Sequence, residues 1–321
     1  MEFKKKLLDK LVIGQFLPKV LGEVSTVEWD SKIESYDYYS LFYRSDIILY
    51  DEQYFQSESI VFYIEYMDCI SLYKCYFNDE SIIIYPPFFE DNFDYSVGLR
   101  ISKIISSFFK EISLKKQFYN LPFTNNLMNH FKLQMEFMGS LKSSMEMYID
   151  ISFSAEDLWK SIRKSYKSII NYGIKNLVVE SKFDEETWKK CKSLHLKVAG
   201  RKTRNDETWN LQKSMLEKKN AKIFYIKEDE NILGFAFFVC SKSVINYSIA
   251  AYDRSKFYEV SISHIIIWRA LEYFKANGFE SIYMGEYAPI KHHNNNKLSN
   301  IDHFKLGFSN KLICNNYISN E

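Results

Sequence analysis

Four short segments carry the residue types from which chemistry can be built. The first, His195 followed by Gly200, Arg201, Lys202, Thr203 and Arg204, sets three cations within four residues beside a flexible glycine. Guanidinium groups form paired, charge-assisted hydrogen bonds to phosphate or carboxylate oxygens, so this run suits an anionic group. A solvated basic connection between two helices has the same composition. The second segment runs from Ser248 through Ala250, Ala251, Tyr252, Asp253 and Arg254 to Ser261, Ser263 and His264. Here a central strand is expected to leave its sheet and a helix to begin, the place where open α/β sheets bind ligands and free helix N–H groups attract anions. Ser261 and Ser263 are equally explained as helix caps. His264, followed by Ile265, Ile266, Ile267 and Trp268, is either a packed core histidine or a proton carrier. In the third segment Tyr283, Glu286 and Tyr287 end a strand with a carboxylate and two phenols. Glu286 there either takes a proton from an amine or pairs with Arg201 or Arg204. The fourth, Phe304-Lys305-Leu306-Gly307-Phe308, sets one ammonium among aromatic rings, where partial burial strengthens its hold on a developing oxyanion. An exposed lysine on a packed terminal helix is the competing account.

Other chemistry is missing from the chain. There is no GxGxxG, GxxxxGK[ST], GxSxG or HExxH pattern, which leaves nucleotide-loop, α/β-hydrolase and zinc-protease readings unsupported. The five cysteines, at 69, 75, 191, 240 and 314, are odd in number and form no CxxC. A reduced compartment without structural zinc follows. The adjacent pair His292-His293 precedes three asparagines and reads as a polar loop, since neighbouring residues rarely converge on one ion.

The elements that must position these residues fill 321 residues, enough for about two domains of roughly 150 residues. Apolar residues at 46% and charged residues at 26% are the proportions of a globular chain. Ten glycines and five prolines are too few for collagen or Gly-rich linkers. The net charge of +1 hides an asymmetry: residues 1–150 carry 15 Lys/Arg against 22 Asp/Glu, and residues 151–321 carry 27 against 19. Anionic substrate groups are therefore expected on the second half, and bulk coating of nucleic acid is not. No stretch reaches 18 uninterrupted apolar residues, so no segment is expected to span a membrane. Phe3, Leu7, Leu8 and Leu11 at helical spacing either lay a basic helix on anionic lipid or form an ordinary packed terminal helix.

Period-two patterning predicts strands over 47–50, 59–66, 70–77 and 82–85, followed by a helix over 97–112, a strand near 117–121, a helix over 126–137 and a strand over 145–151. In the second half Ser154, Glu156 and Asp157 resemble a capping box at the start of a helix that runs to about 172 and stops at Gly173. A strand over 177–180 and helices over 184–198 and 206–218 come next. Strands over 221–227, 232–240 and 244–251 follow, then a helix over 261–276 closed by Asn277-Gly278. A strand over 281–286, a short helix over 301–306 and a strand over 309–314 end the chain. The expected fold class is α/β (α+β): two tandem domains of mixed, largely antiparallel sheets flanked by helices, 1–152 and 153–321, the first a degenerate copy of the second.

The second half resembles the FemAB family of peptidoglycan-bridge aminoacyltransferases and its relatives within the GNAT (acyl-CoA N-acyltransferase) superfamily. The resemblance rests on Ile162-Arg163-Lys164-Ser165-Tyr166-Lys167 through Asn171-Tyr172-Gly173, on Ala199-Gly200-Arg201-Lys202-Thr203-Arg204, on Tyr252-Asp253-Arg254 leading into His264-Ile265-Ile266-Ile267-Trp268, and on Phe304-Lys305-Leu306-Gly307-Phe308. It covers about residues 150 to 310; the first half resembles the family only in its order of elements. The resemblance implies two GNAT-like domains facing across a cleft, and transfer of an activated acyl or aminoacyl group to an amine acceptor on a cell-envelope or surface-polysaccharide precursor. It further implies that Arg201 or Arg204 binds a substrate diphosphate and that Lys305 stabilises the transfer intermediate. Two departures stand out. The acyl-CoA loop Q/R-x-x-G-x-G/A is absent, because no glycine lies between Tyr252 and Ser261, and the long coiled-coil arm of some Fem proteins is missing.

On this reading a neutral amine attacks a thioester or ester carbonyl, Lys305 meets the oxyanion, and Glu286 or Asp253 accepts the proton. Arg201 and Arg204 hold phosphate, with Tyr252, His264 and Tyr283 also contacting substrate. No bound cofactor is expected. Acyl-CoA, acyl carrier protein or aminoacyl-tRNA is the co-substrate, the acceptor is a phosphate-bearing small or lipid-linked molecule, and the setting is cytoplasmic or peripheral to the inner membrane face. Two other readings are an N-acyltransferase acting on a nucleotide sugar and a non-catalytic binding or assembly protein.

Overall fold

A computed structural model describes residues 2–36, 41–85, 87–90, 92–118, 140–253, 255, 262–288 and 296–319. Expectations for the helix over 126–137, for Arg254 and Ser261, and for His292-His293 fall outside them. The chain divides into two compact units, one formed by Met1–Lys32, Asp51–Ser144 and Cys314–Glu321, the other by Ile33–Tyr50 and Met145–Ile313.

In the first unit, α1 (Glu2–Ile13) is followed by β1 (Pro18–Val20) and α2 (Thr26–Ile33), and the division between units falls within α3 (Ser45–Phe55), after Tyr50. The strands β2 (Glu58–Tyr66), β3 (Cys69–Phe77) and β4 (Ser81–Ile84) form the expected antiparallel meander, and β5 (Phe88–Phe89) pairs with β3. Helix α4 (Tyr95–Lys110) crosses over to β6 (Lys115–Phe118), which lies parallel to β4. Asp94 caps α4, its carboxylate accepting from the Val97 N–H. Leu7 and Leu11 are buried with Phe62, Ile101 and Ile105, and Phe3 stacks on Phe77. The apolar stripe of α1 therefore packs against this unit's core, which decides against the lipid reading of that face.

The second unit is built on a sheet of order β12-β7-β11-β10-β9-β8. Its elements are β7 (Ser140–Asp150), α5 (Ala155–Ser161), α6 (Lys164–Asn176), α7 (Glu185–Ala199), α8 (Asp206–Glu217), β8 (Ala221–Glu228), β9 (Asn231–Cys240), β10 (Val244–Tyr252), α9 (Ile262–Ala276), β11 (Ser281–Tyr287), α10 (Asn296–Leu306) and β12 (Lys311–Ser319). Ser154 caps α5 by accepting from the Asp157 N–H, and Asp184 and Asn205 do the same for α7 and α8. One core cluster joins Ile170, Ile245, Ile265, Ile266 and Phe274; another joins Leu41, Ile47, Trp188, Trp209, Phe235 and Phe237. The segment before α3 is pinned within this unit by Arg44, whose Nε donates to Asp46 Oδ1 at 2.7 Å and whose Nη1 donates to the Cys240 carbonyl at 2.7 Å.

Four expectations are corrected. Residues 47–50 are helical, within α3, because an apolar run of four carries no period of its own. The helix expected over 154–172 is two helices, interrupted at Ile162, whose backbone is extended. Gly173 does not end α6 but lies inside it, against Ile265: a Cβ there would meet Ile265 Cβ at 2.7 Å. That glycine is needed for close approach of α6 and α9. The strand expected over 177–180 is reduced to a single bridge, Glu180 to Tyr225.

Both units repeat one step, a strand followed by a helix followed by a parallel strand: β4–α4–β6 in the first and β10–α9–β11 in the second. The mixed α/β architecture of two helix-flanked sheets is the one the sequence led us to expect.

Candidate functional site

The site begins at a gap in the second unit's sheet. Strand β10 pairs with β9 along its whole length, from Ile245 opposite Cys240 to Tyr252 opposite Gly234. With β11 it shares only three pairs, Val244 with Ser281, Ile245 with Ile282 and Asn246 with Tyr283. Immediately beyond, each strand is irregular on its other side: the β10–β9 register shifts between Tyr247 and Ile249, and the β11–β7 register between Tyr283 and Gly285. Such bulges bend a strand and increase its twist. Past Asn246, among the described residues, this edge of β10 borders a cavity instead of a strand.

The cavity has a volume of about 710 Å³. Strand β10 supplies Tyr247, Ser248, Ala250, Ala251 and Tyr252; α9 supplies Ser263 and His264; α7 supplies His195, Val198 and Ala199; and α10 supplies Lys297, Asn300, Ile301, Phe304 and Lys305. No carboxylate is among the described residues that line it. The wall is thus apolar and aromatic with two ammonium groups, a setting for a carbonyl or an anion and not for a cation.

Lys305 is partly buried, and burial lowers its pKa while Asp302 and Glu146 pull it back up. Its Nζ stands 5.8 Å from the centre of the Tyr247 ring. The Tyr247 and Tyr252 hydroxyls are hydrogen-bonded to each other at 3.1 Å, and burial raises the pKa of both, that of Tyr247 to about 12. His264 is packed edge-on against Tyr166 and Phe304, with ring centroids 4.2 and 5.2 Å away. Burial, and secondarily the Arg163 charge, lowers its pKa to about 4, so its imidazole is neutral at pH 7. His195 is lowered to about 4 by burial first, then by Arg204 and Lys297.

Of the residues expected from the sequence, Lys305, Tyr252 and His264 line the cavity together. Arg204 stands behind the wall: its guanidinium lies 5.4 Å from the Trp209 ring centre, its Nη1 donates to the Tyr50 hydroxyl at 3.1 Å, and its Nε is buried with no hydrogen-bond partner. Trp209 in turn packs on His195 at 5.3 Å. Arg201, at the end of α7, is exposed and does not line the cavity. Neither does Glu286, which is exposed on β11. Tyr283 is half-buried beside Tyr148; desolvation first, and then Glu146, to which it donates a hydrogen bond, drive its pKa well up. Asp253 is held by Lys197 Nζ at 2.7 Å and by the Ser255 N–H and hydroxyl. These bonds lower it to about 2, which makes it a weak base at neutral pH.

Sequence reasoning passed over Tyr247, Lys297 and Glu146. Tyr247 carried a signal, since it precedes Ser248 on the strand already singled out. Glu146 carried none: its buried carboxylate meets Tyr283 only through the pairing of β7 with β11.

No protein-family model matches the chain, and no curated protein matches it in sequence. Its fold does have solved counterparts. FemX is similar with a TM-score of 0.66 at 14% identity, covering 92% of this chain and 96% of its own. The C-terminal domain of a putative lysylphosphatidylglycerol synthetase from Agrobacterium fabrum gives 0.57 at 11% identity, covering 91% and 92%. L-PGS from Bacillus licheniformis gives 0.55 at 16% identity, covering 81% and 85%. The chain shares its fold with FemX and with these two other structures.

Proposed function

We propose that this protein transfers an activated acyl or aminoacyl group to an amine acceptor on a cell-envelope component. The observation that carries the reading is the Lys305 ammonium, held beside the open edge of β10 in a cavity whose described lining contains no carboxylate. The fold supports it, shared as it is with FemX and with a protein whose name denotes synthesis of lysylphosphatidylglycerol, an aminoacyl lipid.

The acceptor amine attacks the carbonyl carbon, a C–N bond forms, and the C–O or C–S bond to the carrier breaks. Charge gathers on the carbonyl oxygen, where Lys305 meets it in a partly desolvated setting that strengthens the attraction. Holding amine and carbonyl in one cavity removes much of the entropic barrier, up to about 7–11 kcal/mol in well-oriented cases. Tyr252, hydrogen-bonded to Tyr247, and the neutral ring of His264 shape the wall on which the acyl group rests. Arg204 supplies positive potential from behind His195; Arg201 reaches substrate only from the exposed end of α7. With Asp253 committed to Lys197 and Glu286 outside the lining, the amine's proton leaves to solvent through the open side of the cavity. Among the described residues no helix is long and apolar enough to cross a membrane, so a lipid-linked acceptor would be met at a membrane surface.

The test is to offer labelled acyl-CoA, acyl carrier protein loaded with an acyl group, and aminoacyl-tRNA, each with an amine acceptor, and follow consumption of the donor. Lys305→Gln, with its fold verified by circular dichroism, is expected to slow transfer by about 10²–10³-fold, the loss typical when one oxyanion donor is removed. Undiminished transfer in that variant refutes the role of Lys305. If none of the three donors is consumed, the reading as a transferase gives way to that of a binding protein.

A further inference from the structure

We propose that Gly285 is a positioning residue, its missing side chain forming the notch in which the Lys305 ammonium is seated. A Cβ placed on Gly285 would lie 3.1 Å from Lys305 Nζ, tighter than ordinary van der Waals contact. The backbone at Gly285 has φ +102°, a conformation that side chains other than glycine rarely adopt. Two separate features of one residue thus require glycine, one from the strand and one from the lysine. The strand needs the unusual φ because the β11–β7 register shifts there. The lysine needs the space because α10 carries it toward the same bulge.

The groups that face the ammonium come from every side. Gly285 on β11 leaves the room, the Tyr247 ring on β10 lies 5.8 Å away, and Glu146 on β7 and Asp302 on α10 attract the charge. Glu146 is 2% exposed and is itself held by Tyr283, so the attraction comes from a fixed point. Glycine sets where the ammonium sits, and the carboxylates oppose the lowering that burial causes. Displacing Nζ by even a few tenths of an ångström moves it off the position it must hold for a carbonyl oxygen, where misplacement of about 1 Å costs about 10²-fold. The catalytic meaning of the notch rests on the reading of Lys305 given above; the notch itself can be tested without turnover.

The experiment uses the full chain with lysines labelled in ¹³C and ¹⁵N, the Lys305 side-chain signal being assigned by its loss in Lys305→Arg. Gly285→Ala is expected to shift that signal and to raise its titration midpoint toward the ordinary lysine value, because the ammonium is pushed out of its buried seat toward the open cavity. Gly278→Ala controls for backbone strain alone, since Gly278 has φ +80° and nothing within 4 Å of its Cβ position; the Lys305 signal should stay in place. Should Gly285→Ala fold poorly, Gly285→Asn fills the same notch with a residue that tolerates positive φ better. An unmoved Lys305 signal in the folded Gly285 variants, or an equal movement in Gly278→Ala, overturns the proposal. A signal that moves as expected, beside full transfer in Lys305→Ala, keeps the notch and removes the catalytic reading of Lys305. Lost transfer in Lys305→Ala beside an unmoved signal does the reverse.

Discussion

Gly307→Ala tests how tightly α10 is seated. A Cβ on Gly307 would fall 2.3 Å from Tyr166 Cε2, 2.6 Å from Cζ and 2.7 Å from the hydroxyl. Ordinary carbon contacts lie at about 3.5–4.0 Å, so the ring must retreat by about 1 Å. It has nowhere to go: His264 stands edge-on at 4.2 Å between centroids and Phe308 at 5.1 Å, while Arg163 Nη1 donates to the hydroxyl at 3.1 Å. Gly307 has no positive φ, so the substitution carries overpacking without backbone strain, worth about 1–3 kcal/mol of lost stability. Tyr166→Val removes the ring and costs about 3–5 kcal/mol by itself, as large aromatic truncations do. Combined, the two changes should cost less than their sum by about 1–3 kcal/mol, the coupling expected of residues in contact. Urea denaturation of wild type, both single variants and the double variant gives that coupling directly. Strict additivity, or a loss under about 0.5 kcal/mol for Gly307→Ala, would refute the packing described here.

Four further outcomes follow from the same geometry. His264 has a folded pKa near 4 against an ordinary 6.5, so the unfolded chain binds the extra proton first; stability is full above 6.5 and falls as pH drops toward 4, by up to about 3 kcal/mol. Urea midpoints near pH 7 and near pH 5 check this, and His264→Phe should reduce the slope, His195 supplying what remains. Lys74, buried 3.7 Å from Asp51, is lowered by burial to about 8 from 10.5, so its contribution has the same sign at higher pH: it grows as pH climbs from 8 to 10.5, and Lys74→Met should remove that component, making the pH profile of thermal melts less favourable to high pH than wild type. Arg204→Ala loses the Tyr50 hydrogen bond and the Trp209 contact and should cost about 1–2 kcal/mol by urea unfolding, whereas Arg201→Ala at its exposed position should stay within about 0.5 kcal/mol. Gly234→Ala would bring a methyl to 2.8 Å from both Tyr252 Cδ1 and Ile262 Cγ2; thermal melting should show a loss of about 1–3 kcal/mol, and a neutral result would mean the α9 start is looser than drawn.

The sequence announced the order of elements in the second half because its signals there were local. Ser154, Asp184 and Asn205 each cap a helix with their own side chain, and the four-residue cation run marks a connection between helices. It could not separate Arg201 from Arg204, two residues of one type three positions apart. The fold turns one outward and folds the other over Trp209, a residue that α8 brings up from beyond the connection. Gly173 and Gly307 illustrate a second limit. In a sequence a glycine reads as a stop or a turn, yet both of these exist to admit a side chain from another element, Ile265 in one case and Tyr166 in the other. Glu146 and Tyr283 show a third: a buried carboxylate and its phenol donor lie far apart in the chain, and only the pairing of β7 with β11 joins them.

The cavity itself has the same origin as those late-appearing contacts. Strands β10 and β11 are parallel neighbours joined through α9, a crossover that lets them start in register at Val244 and Ser281 and leaves nothing local to keep them paired. Each then bulges against its outer neighbour, β10 after Tyr247 and β11 after Tyr283, and a bulge bends its strand and increases its twist. The pairing of β10 with β11 ends at Asn246 and Tyr283, next to both irregularities. Gly285 stands on β11 just beyond, so one residue both permits the bend that makes the cavity and leaves the space that Lys305 occupies within it. A chain that closed the gap by regular pairing would lose the cavity and displace the ammonium together, which is why the bulge and the lysine are better understood as one device than as two.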